Sequence, residues 1–294
     1  MYASRGYALV NGMNASMHYI AAKAALEFYA DHGVDIGISD TQINRIQELQ
    51  LPKLPEVPNF VVPQPEGVKA PEVLLGKNEA RIEAVKLAQA AGSLVDLKAA
   101  IANFDGISIK KTATNLVFAD GNPKAKIMVI GEAPGADEDR QGLAFIGADG
   151  QLLNKILACI GLSRGDENPL SSAYLTNVLS WRPPGNRSPN PAEIEVSLPF
   201  IERHIQLIAP SIIIICGGVA AKALLGRDES ISRLRKTWHD YLLQTPELQD
   251  GALSIPALVT YHPSYLLQTP MQKRAVWEDM LMVQKRRADM KITA

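Results

Sequence analysis

The stretch that decides the fold reads Lys126-Ile-Met-Val-Ile-Gly-Glu-Ala-Pro-Gly135. Its four consecutive apolar residues, 127–130, are typical of a strand that is buried on both faces of a parallel sheet. The strand is expected to end at Gly131, because the Pro-Gly pair that follows favours a turn. Open α/β sheets bind ligands at the carboxyl ends of their strands, so this turn is predicted to lie in a binding crevice.

The loop after the turn carries unusual chemistry. It continues as Ala136-Asp-Glu-Asp-Arg-Gln-Gly-Leu-Ala-Phe145, and with Glu132 it brings four carboxylates and one aromatic ring to the edge of the sheet. Carboxylates beside a ring suggest chemistry on a flat molecule. A nucleotide-binding phosphate loop is a weaker alternative, because Glu132 would repel phosphate and no Gly-Lys-Ser/Thr follows.

Further strand-like runs alternate with helical patterns along the rest of the chain. Strands are predicted at 126–130, 174–179, 211–216 and 255–260, and helices at about 149–160, 191–208, 218–225 and 270–288. Asn190, Pro191 and Glu193 mark one helix start, as an N-cap, a first helical residue and a capping box. Alternating strands and helices predict a three-layer α/β/α domain with a central, mostly parallel four-stranded sheet.

The N-terminal quarter is organised differently. Residues 17–32 and 40–49 have helical patterns, whereas 51–71 contain six prolines and are predicted to form an extended linker. Residues 78–103 are again helical in pattern. We therefore predict an N-terminal helical extension at 1–50, a proline-rich linker at 51–75 and one α/β domain at 76–294. The first 75 residues either tether a partner or are dispensable.

Composition restricts the class of protein. The chain has 294 residues, 47% of them hydrophobic, and a net charge of −1, so a DNA partner would have to be held by a local basic patch. No apolar run reaches the ~20 residues of a membrane span, and the N-terminus has no signal-peptide pattern. Cys159 and Cys216 are expected to be small core residues in a reducing compartment. We expect a cytoplasmic protein.

Polar motifs follow the other predicted strands. They are Thr176-Asn177, the loop Arg182-Pro-Pro-Gly-Asn-Arg187, and His262-Pro-Ser264. With Gly131–Gly135 they resemble, in the same order, the motifs of the uracil-DNA glycosylase superfamily, and most of all its type-4 branch from bacteria and archaea. The resemblance covers roughly 103–287. It implies an enzyme that flips uracil out of DNA and hydrolyses its N-glycosidic bond, the first step of base excision repair.

The resemblance also assigns residues to a base pocket. Gly131 and Ala133 would line it, and Phe145 would stack on the base. The amide of Asn177 has the donors and acceptor that complement uracil N3–H and O4, and cytosine presents the reverse pattern. His262 would lie against uracil O2, where a donated hydrogen bond stabilises the departing uracil anion.

Two carboxylates, Glu132 and Glu138, are candidate catalytic residues. One of them would orient the attacking water or offset the positive charge of an oxocarbenium-like sugar. Glu138 would alternatively crowd the C5 edge of uracil and exclude the methyl group of thymine. The sequence does not distinguish these roles. Asp137 and Asp139 are expected to be solvated or to cap the loop.

Candidate DNA contacts lie in two segments. Arg182, Arg187 and Ser264 are predicted to contact phosphates, although a plain exposed charge explains each arginine nearly as well. Tyr265, Leu266 and Leu267 are predicted to form an apolar tip that fills the gap left by a flipped base. The alternative for this tip is the ordinary start of a helix.

One departure from the type-4 pattern concerns its iron–sulfur cluster, which is held by four cysteine thiolates. The matching positions here are Phe104, Ile107, Trp181 and Ser197, none of which can ligate iron through sulfur. We therefore expect no metal and no cofactor, with a small hydrophobic core in place of the cluster. His239 matches poorly the motif of relatives that trap the sugar on a histidine, and is expected to be structural.

The expected partner is uracil-containing DNA, bound by a monomer. Without a cluster, the chain could alternatively be a degenerate glycosylase-fold protein that binds DNA and does not cut it. The presence of Glu132, Phe145, Asn177 and His262 together favours the active enzyme, because a binding module has no use for a complete pocket.

Overall fold

The structure, a computed structural model, describes residues 77–249 and 254–293. The helices expected at 17–32 and 40–49 and the linker expected at 51–75 lie outside the described residues and stay predictions. Within the described ranges, no helix combines the length and the apolar character needed to cross a membrane.

A six-stranded sheet lies at the centre of the described domain. Its strands are β1 (Asp120–Gly121), β2 (Ile127–Gly131), β3 (Ala173–Asn177), β4 (Ile212–Cys216), β5 (Trp238–Tyr241) and β6 (Ile255–Thr260). Their order across the sheet is β1-β3-β2-β4-β6-β5. The four inner strands are parallel and confirm the predicted ones.

The predicted count of four strands is wrong, because β1 and β5 pair antiparallel at the two edges. Neither edge strand has an apolar run, so its pairing depends on the neighbouring strand. In β1, a Cβ added at Gly121 would lie 2.2 Å from the carbonyl oxygen of Ala173, an approach that only glycine permits. β5 shows a simple alternation, with His239 and Tyr241 buried and Asp240 exposed.

Helices cover both faces of the sheet. They are α1 (Lys77–Ala90), α2 (Leu94–Asn103), α3 (Ala136–Gln141), α4 (Ala148–Ala158), α5 (Pro191–Ile208), α6 (Gly218–Leu225), α7 (Ile231–Leu234), α8 (Pro263–Gln268) and α9 (Lys273–Asp289). The helical pattern at 78–103 contains two helices, because the Ser93 hydroxyl caps α2 by accepting the Asp96 N–H at 3.2 Å. The predicted capping box of α5 is confirmed, with Asn190 and Glu193 exchanging two hydrogen bonds of 2.9 Å.

Strand β2 shows why three layers form. Met128 and Ile130 pack into the cluster that contains α1, α2 and α5, whereas Ile127 and Val129 pack into the opposite cluster with α4 and α9. Since alternate strand residues face opposite sides, a fully apolar strand needs helices on both. The predicted three-layer α/β/α architecture is confirmed.

The two cysteines differ in environment. Cys216 is buried at the end of β4, and burial raises the pKa of its thiol to about 12. Cys159 is exposed at the C-cap of α4, so the expectation that it is a core residue is wrong. The helical spacing of α4 turns Leu153 and Leu157 inward instead.

Candidate active site

The carboxyl ends of β2, β3 and β6 meet at one edge of the sheet. Asn177 pairs with Gly131 in the parallel register of β3 and β2, and Thr260 pairs with Cys216 on the other side of β2. Two residues after Thr260, His262 reaches the backbone after β4, where a Cβ at Gly217 would lie 3.3 Å from the His262 Cβ. Gly217 also has a φ of +101°, which favours glycine.

Three of the predicted pocket side chains converge beside Gly131. A Cβ added there would lie 2.4 Å from Asn177 Oδ1 and 2.5 Å from Phe145 Cζ. The centroids of the Phe145 and His262 rings are 5.8 Å apart, at an interplanar angle of 30°. Position 131 therefore accommodates only glycine, because the Phe145 ring and the Asn177 amide occupy the space that a side chain would need. Ala133, two residues further along, is partly buried and packs against the core.

The hydrogen bonds of His262 indicate where its proton lies. The Ser264 backbone N–H points at His262 Nδ1 over 3.3 Å, and the Ser264 hydroxyl oxygen is 2.7 Å from the same nitrogen. Because a backbone N–H can only donate, Nδ1 accepts and the proton is carried by Nε2. Burial lowers the pKa of His262, although the carboxylates of Asp149 and Glu138 act in the opposite direction. The ring is thus a neutral donor through Nε2.

Glu132 is the candidate carboxylate at the start of the loop. Its side chain is partly buried. Burial raises its pKa, and a hydrogen bond with the Ser188 side chain acts in the opposite direction. Its backbone carbonyl accepts the Leu179 N–H at 3.1 Å, which continues the pairing of β2 and β3 beyond the strand ends. A carboxyl group whose pKa is raised by burial is typical of functional sites.

Glu138 has a different environment from Glu132. Its Oε2 accepts the Gly135 N–H at 3.1 Å, and its Oε1 accepts the N–H groups of Ile146 and Gly147 at 2.9 and 2.8 Å. Both carboxylate oxygens are therefore occupied by the two ends of the loop that carries Phe145. Asp139 is also buried and accepts the N–H groups of Thr114 and Asn115, as expected for a loop cap, whereas Asp137 is exposed.

Comparison with known proteins agrees with this geometry. The model of the Uracil DNA glycosylase superfamily matches residues 118–281, more than half of the chain. The chain belongs to the uracil-DNA glycosylase superfamily.

Several relatives are about one-third identical to it. The Type-4 uracil-DNA glycosylase of Pyrobaculum aerophilum is 35% identical over 62% of this chain and 88% of its own length. The Type-4 uracil-DNA glycosylase of Archaeoglobus fulgidus is 35% identical over 64% and 89%, respectively. That of Thermotoga maritima is 35% identical over 57% and 80%.

The two arginines of the Arg182–Arg187 loop are engaged within the protein. Arg182 Nε donates to Asn186 Oδ1 at 2.7 Å, and its Nη1 lies 3.8 Å from Asp139. Arg187 forms two hydrogen bonds of 2.9 and 2.6 Å with the Glu193 carboxylate. Either arginine would have to exchange these partners to grip a DNA phosphate, so their DNA contacts stay predictions. Ser264 is exposed and is held at the His262 ring.

The predicted apolar tip is only partly exposed. Tyr265 is 39% exposed and its ring lies 5.1 Å from that of Tyr261, whereas Leu266 is fully buried. The expectation that Leu266 faces DNA is therefore corrected: α8 begins at Pro263, and the helical turn directs Leu266 into the core. The exposed apolar side chains here are Leu267 at 46%, which belongs to the predicted apolar tip, and Met271 at 85%, which was not predicted.

Asp149 is a further side chain of the site that was not predicted. It lies in the first turn of α4, its carboxylate acts on the pKa of His262, and among the described residues its Oδ1 accepts the neighbouring Gly150 N–H alone. The one feature of the sequence that could have indicated Asp149 is its position four residues after Phe145. His239, by contrast, is buried on β5 with its Nε2 hydrogen-bonded to the Leu234 carbonyl at 2.8 Å.

The four positions that the resemblance to type-4 enzymes assigns to the cluster do converge in this fold. Phe104, Ile107, Trp181 and Ser197 line one small cavity, and the Phe104 ring packs edge-on against Phe200 at 5.2 Å. No thiolate is present among these four, so this donor set does not fit an iron–sulfur cluster. Over residues 77–249 and 254–293, no group of His, Cys, Asp or Glu side chains is arranged to hold a metal ion.

Proposed function

We propose that this protein is a uracil-DNA glycosylase that hydrolyses the N-glycosidic bond of uracil in single-stranded or mispaired DNA, as the first step of base excision repair. The observation that carries the proposal is the convergence of Phe145, Asn177 and His262 beside Gly131. A ring, an amide and a neutral imidazole donor around one position match the needs of a flipped pyrimidine.

Recognition uses the ring and the amide. The Phe145 ring stacks on the face of the base, and the Asn177 amide pairs with N3–H and O4. Both side chains are almost fully buried, at 3% and 4% exposed, so water competes little for these contacts. Within the described residues, no hydrogen bond to another protein group holds the Asn177 amide, which leaves it free for the base.

Bond cleavage uses His262 and Glu132. The C1′–N1 bond breaks, its electron pair stays on uracil, and the water oxygen bonds to C1′. His262 Nε2–H donates to O2 and stabilises the negative charge as it develops. Glu132 orients the water and accepts its proton. We assign this role to Glu132 because three backbone N–H groups already occupy both oxygens of Glu138.

The enzyme works without an iron–sulfur cluster. Packed side chains at Phe104, Ile107, Trp181 and Ser197 occupy the region where type-4 members hold the metal, and they brace the neighbouring loops instead. Iron analysis of protein purified without oxygen tests this. We expect far less than one iron per chain and no visible charge-transfer band. Stoichiometric iron with such a band would refute it.

We further propose a monomer that acts in the cytoplasm. Support for the monomer comes from the site itself, since one chain supplies every residue in the mechanism: Glu132, Asn177 and His262 from the ends of β2, β3 and β6, and Phe145 from the loop between α3 and α4. Support for a reducing compartment comes from the two cysteines, both free thiols.

Excision of uracil from a labelled oligonucleotide, followed by alkali, tests the function. We expect strand cleavage by the wild type and its loss in Asn177→Ala and His262→Ala. Asn168→Ala is a matched control, because Asn168 is an exposed amide that precedes β3 at the opposite edge of the sheet. DNA binding without cleavage would support the degenerate relative, and absence of any DNA affinity would refute both readings.

A further inference from the structure

The backbone of Phe145 has an unusual conformation. Its φ is +54°, in the left-handed region that bulky residues rarely adopt, yet its ring is 3% exposed and touches the space above Gly131. A residue in such a conformation persists only where its surroundings hold it there. The groups that hold the Phe145 peptide therefore position the ring on which the base would stack.

Arg164 holds the carbonyl side of this peptide. Its Nη2 donates to the Phe145 carbonyl at 2.6 Å, and its Nη1 donates to the Ala144 carbonyl at 2.9 Å. The guanidinium is itself fixed by Asp120, 2.7 Å from Nη1, and by Asn154, 2.8 Å from Nε. Arg164 thus connects the edge strand β1, the helix α4 and the Phe145 loop through one planar group.

Glu138 holds the amide side. The N–H groups of Ile146 and Gly147 both donate to its Oε1. The Arg164 guanidinium binds the carbonyls of residues 144 and 145, and the Glu138 carboxylate binds the N–H groups of residues 146 and 147. Together they fix the backbone on both sides of Phe145. The first turn of α4 closes the third side, since a Cβ at Gly150 would lie 1.8 Å from the Phe145 carbonyl oxygen.

We propose that Arg164 is a positioning residue of the uracil pocket, which fixes the Phe145 ring in the orientation that stacks on the base. This inference rests on the proposed function. A lysine has a single nitrogen and cannot reach two carbonyls, Asp120 and Asn154 together. In an Arg164→Lys variant, the Phe145 peptide is therefore expected to relax from the left-handed conformation, and the Phe145 ring is expected to leave the stacking position.

The test is the affinity for free uracil, measured as inhibition of excision. We expect Arg164→Lys to weaken inhibition by uracil about tenfold, since base–aromatic stacking contributes substantially to binding. Affinity for DNA that contains an abasic site, which has no base to stack, is expected to stay within about twofold. A merely structural role for Arg164 would weaken both equally.

Arg203→Lys is the matched control. Arg203 also donates twice to a backbone carbonyl, that of Ala91, at 2.9 Å through both Nε and Nη2, but it ties α5 to the turn before α2. Arg203→Lys should change neither the affinity for free uracil nor the affinity for DNA with an abasic site. In a Phe145→Leu background, Arg164→Lys should have no further effect on uracil inhibition, because the ring it positions is gone.

The outcomes separate the two proposals. If the wild-type protein does not excise uracil, the proposed function is refuted. If the wild type is active and the folded Arg164→Lys variant is inhibited by uracil as strongly as the wild type, only the positioning role is refuted. If Arg164→Lys does not fold, Asp120→Asn decides, since it loosens the guanidinium without removing it: weakened uracil inhibition supports the role, and unchanged inhibition refutes it.

Discussion

Replacing Gly131 with alanine places a methyl group where two side chains of the base pocket already stand. The new Cβ would lie 2.4 Å from Asn177 Oδ1 and 2.5 Å from Phe145 Cζ, against an ordinary contact of 3.4 Å or more. Strand β2 cannot retreat, because it is paired on both sides by β3 and β4. The amide and the ring must therefore each move by about 1 Å.

The two consequences differ in size. A misplacement of about 1 Å in a catalytic arrangement costs on the order of 100-fold in rate. Overpacking a core costs about 1–3 kcal/mol, and each kcal/mol lowers the Tm of a domain of this size by roughly 2–4 °C. We expect kcat/KM for uracil excision to fall about 100-fold in Gly131→Ala, in protein that still unfolds cooperatively.

Excision kinetics on a labelled single-stranded oligonucleotide, with thermal unfolding in parallel, measure both quantities. Gly92→Ala is the control, because its Cβ would meet only the Asp96 carboxylate at 3.7 Å. It should match the wild type in both assays. If folded Gly131→Ala excises uracil within about threefold of the wild-type kcat/KM, the arrangement of Asn177 and Phe145 around Gly131 is not the catalytic one.

Three further predictions concern charge. The ¹⁵N NMR spectrum of His262 at pH 7 should show the neutral Nε2–H tautomer, with a titration midpoint below the usual value of about 6.5; a protonated ring at pH 7 would contradict this. Burial lowers the pKa of His204 to about 3, so the unfolded chain binds one more proton between about pH 6.5 and pH 3, and stability falls as the pH falls through that range. Urea unfolding at pH 6, 5 and 4 measures how the free energy of unfolding changes with pH. In His204→Phe this change should be smaller than in the wild type by about 1.4 kcal/mol per pH unit, and an equal change in both proteins would rule the assignment out. Arg235→Met should lower the free energy of unfolding by about 3–5 kcal/mol in denaturant unfolding, because it leaves the buried Asp279 carboxylate without its cation. Lys236→Met, which removes the exposed ion pair with Glu278, should lower it by less than about 1 kcal/mol. Equal losses in the two variants would contradict the buried pairing.

The inner sheet and the location of the site could be predicted from the sequence. Runs such as 127–130 and 212–215 are apolar on every side chain, which only a strand covered on both faces requires. Once the strands are parallel, their carboxyl ends share an edge, so Gly131, Asn177 and His262 were expected to meet there. The edge strands β1 and β5 could not be predicted, because β1 has only two residues, Asp120 and Gly121, and β5 mixes polar and apolar residues, so neither contains an apolar run.

Within the site, tertiary structure separated residues that look alike in sequence. Glu132 and Glu138 are two carboxylates of one loop, but only Glu138 faces the amides of Ile146 and Gly147, which return from the loop's far end. Leu266 and Leu267 are two leucines of one apolar tip, and the helical turn after Pro263 buries the first and exposes the second.

The sequence by itself determined the layered α/β fold and indicated the candidate pocket residues, because burial periodicity and short motifs are local properties of the chain. Tertiary structure alone decided how the Gly131–Phe145 loop is positioned. Phe145 adopts a left-handed backbone conformation that no local preference favours, and Arg164, nineteen residues away, holds its carbonyl. Such long-range hydrogen bonds replace local propensity there, so only the folded chain shows that Glu138 is the carboxylate that braces the loop.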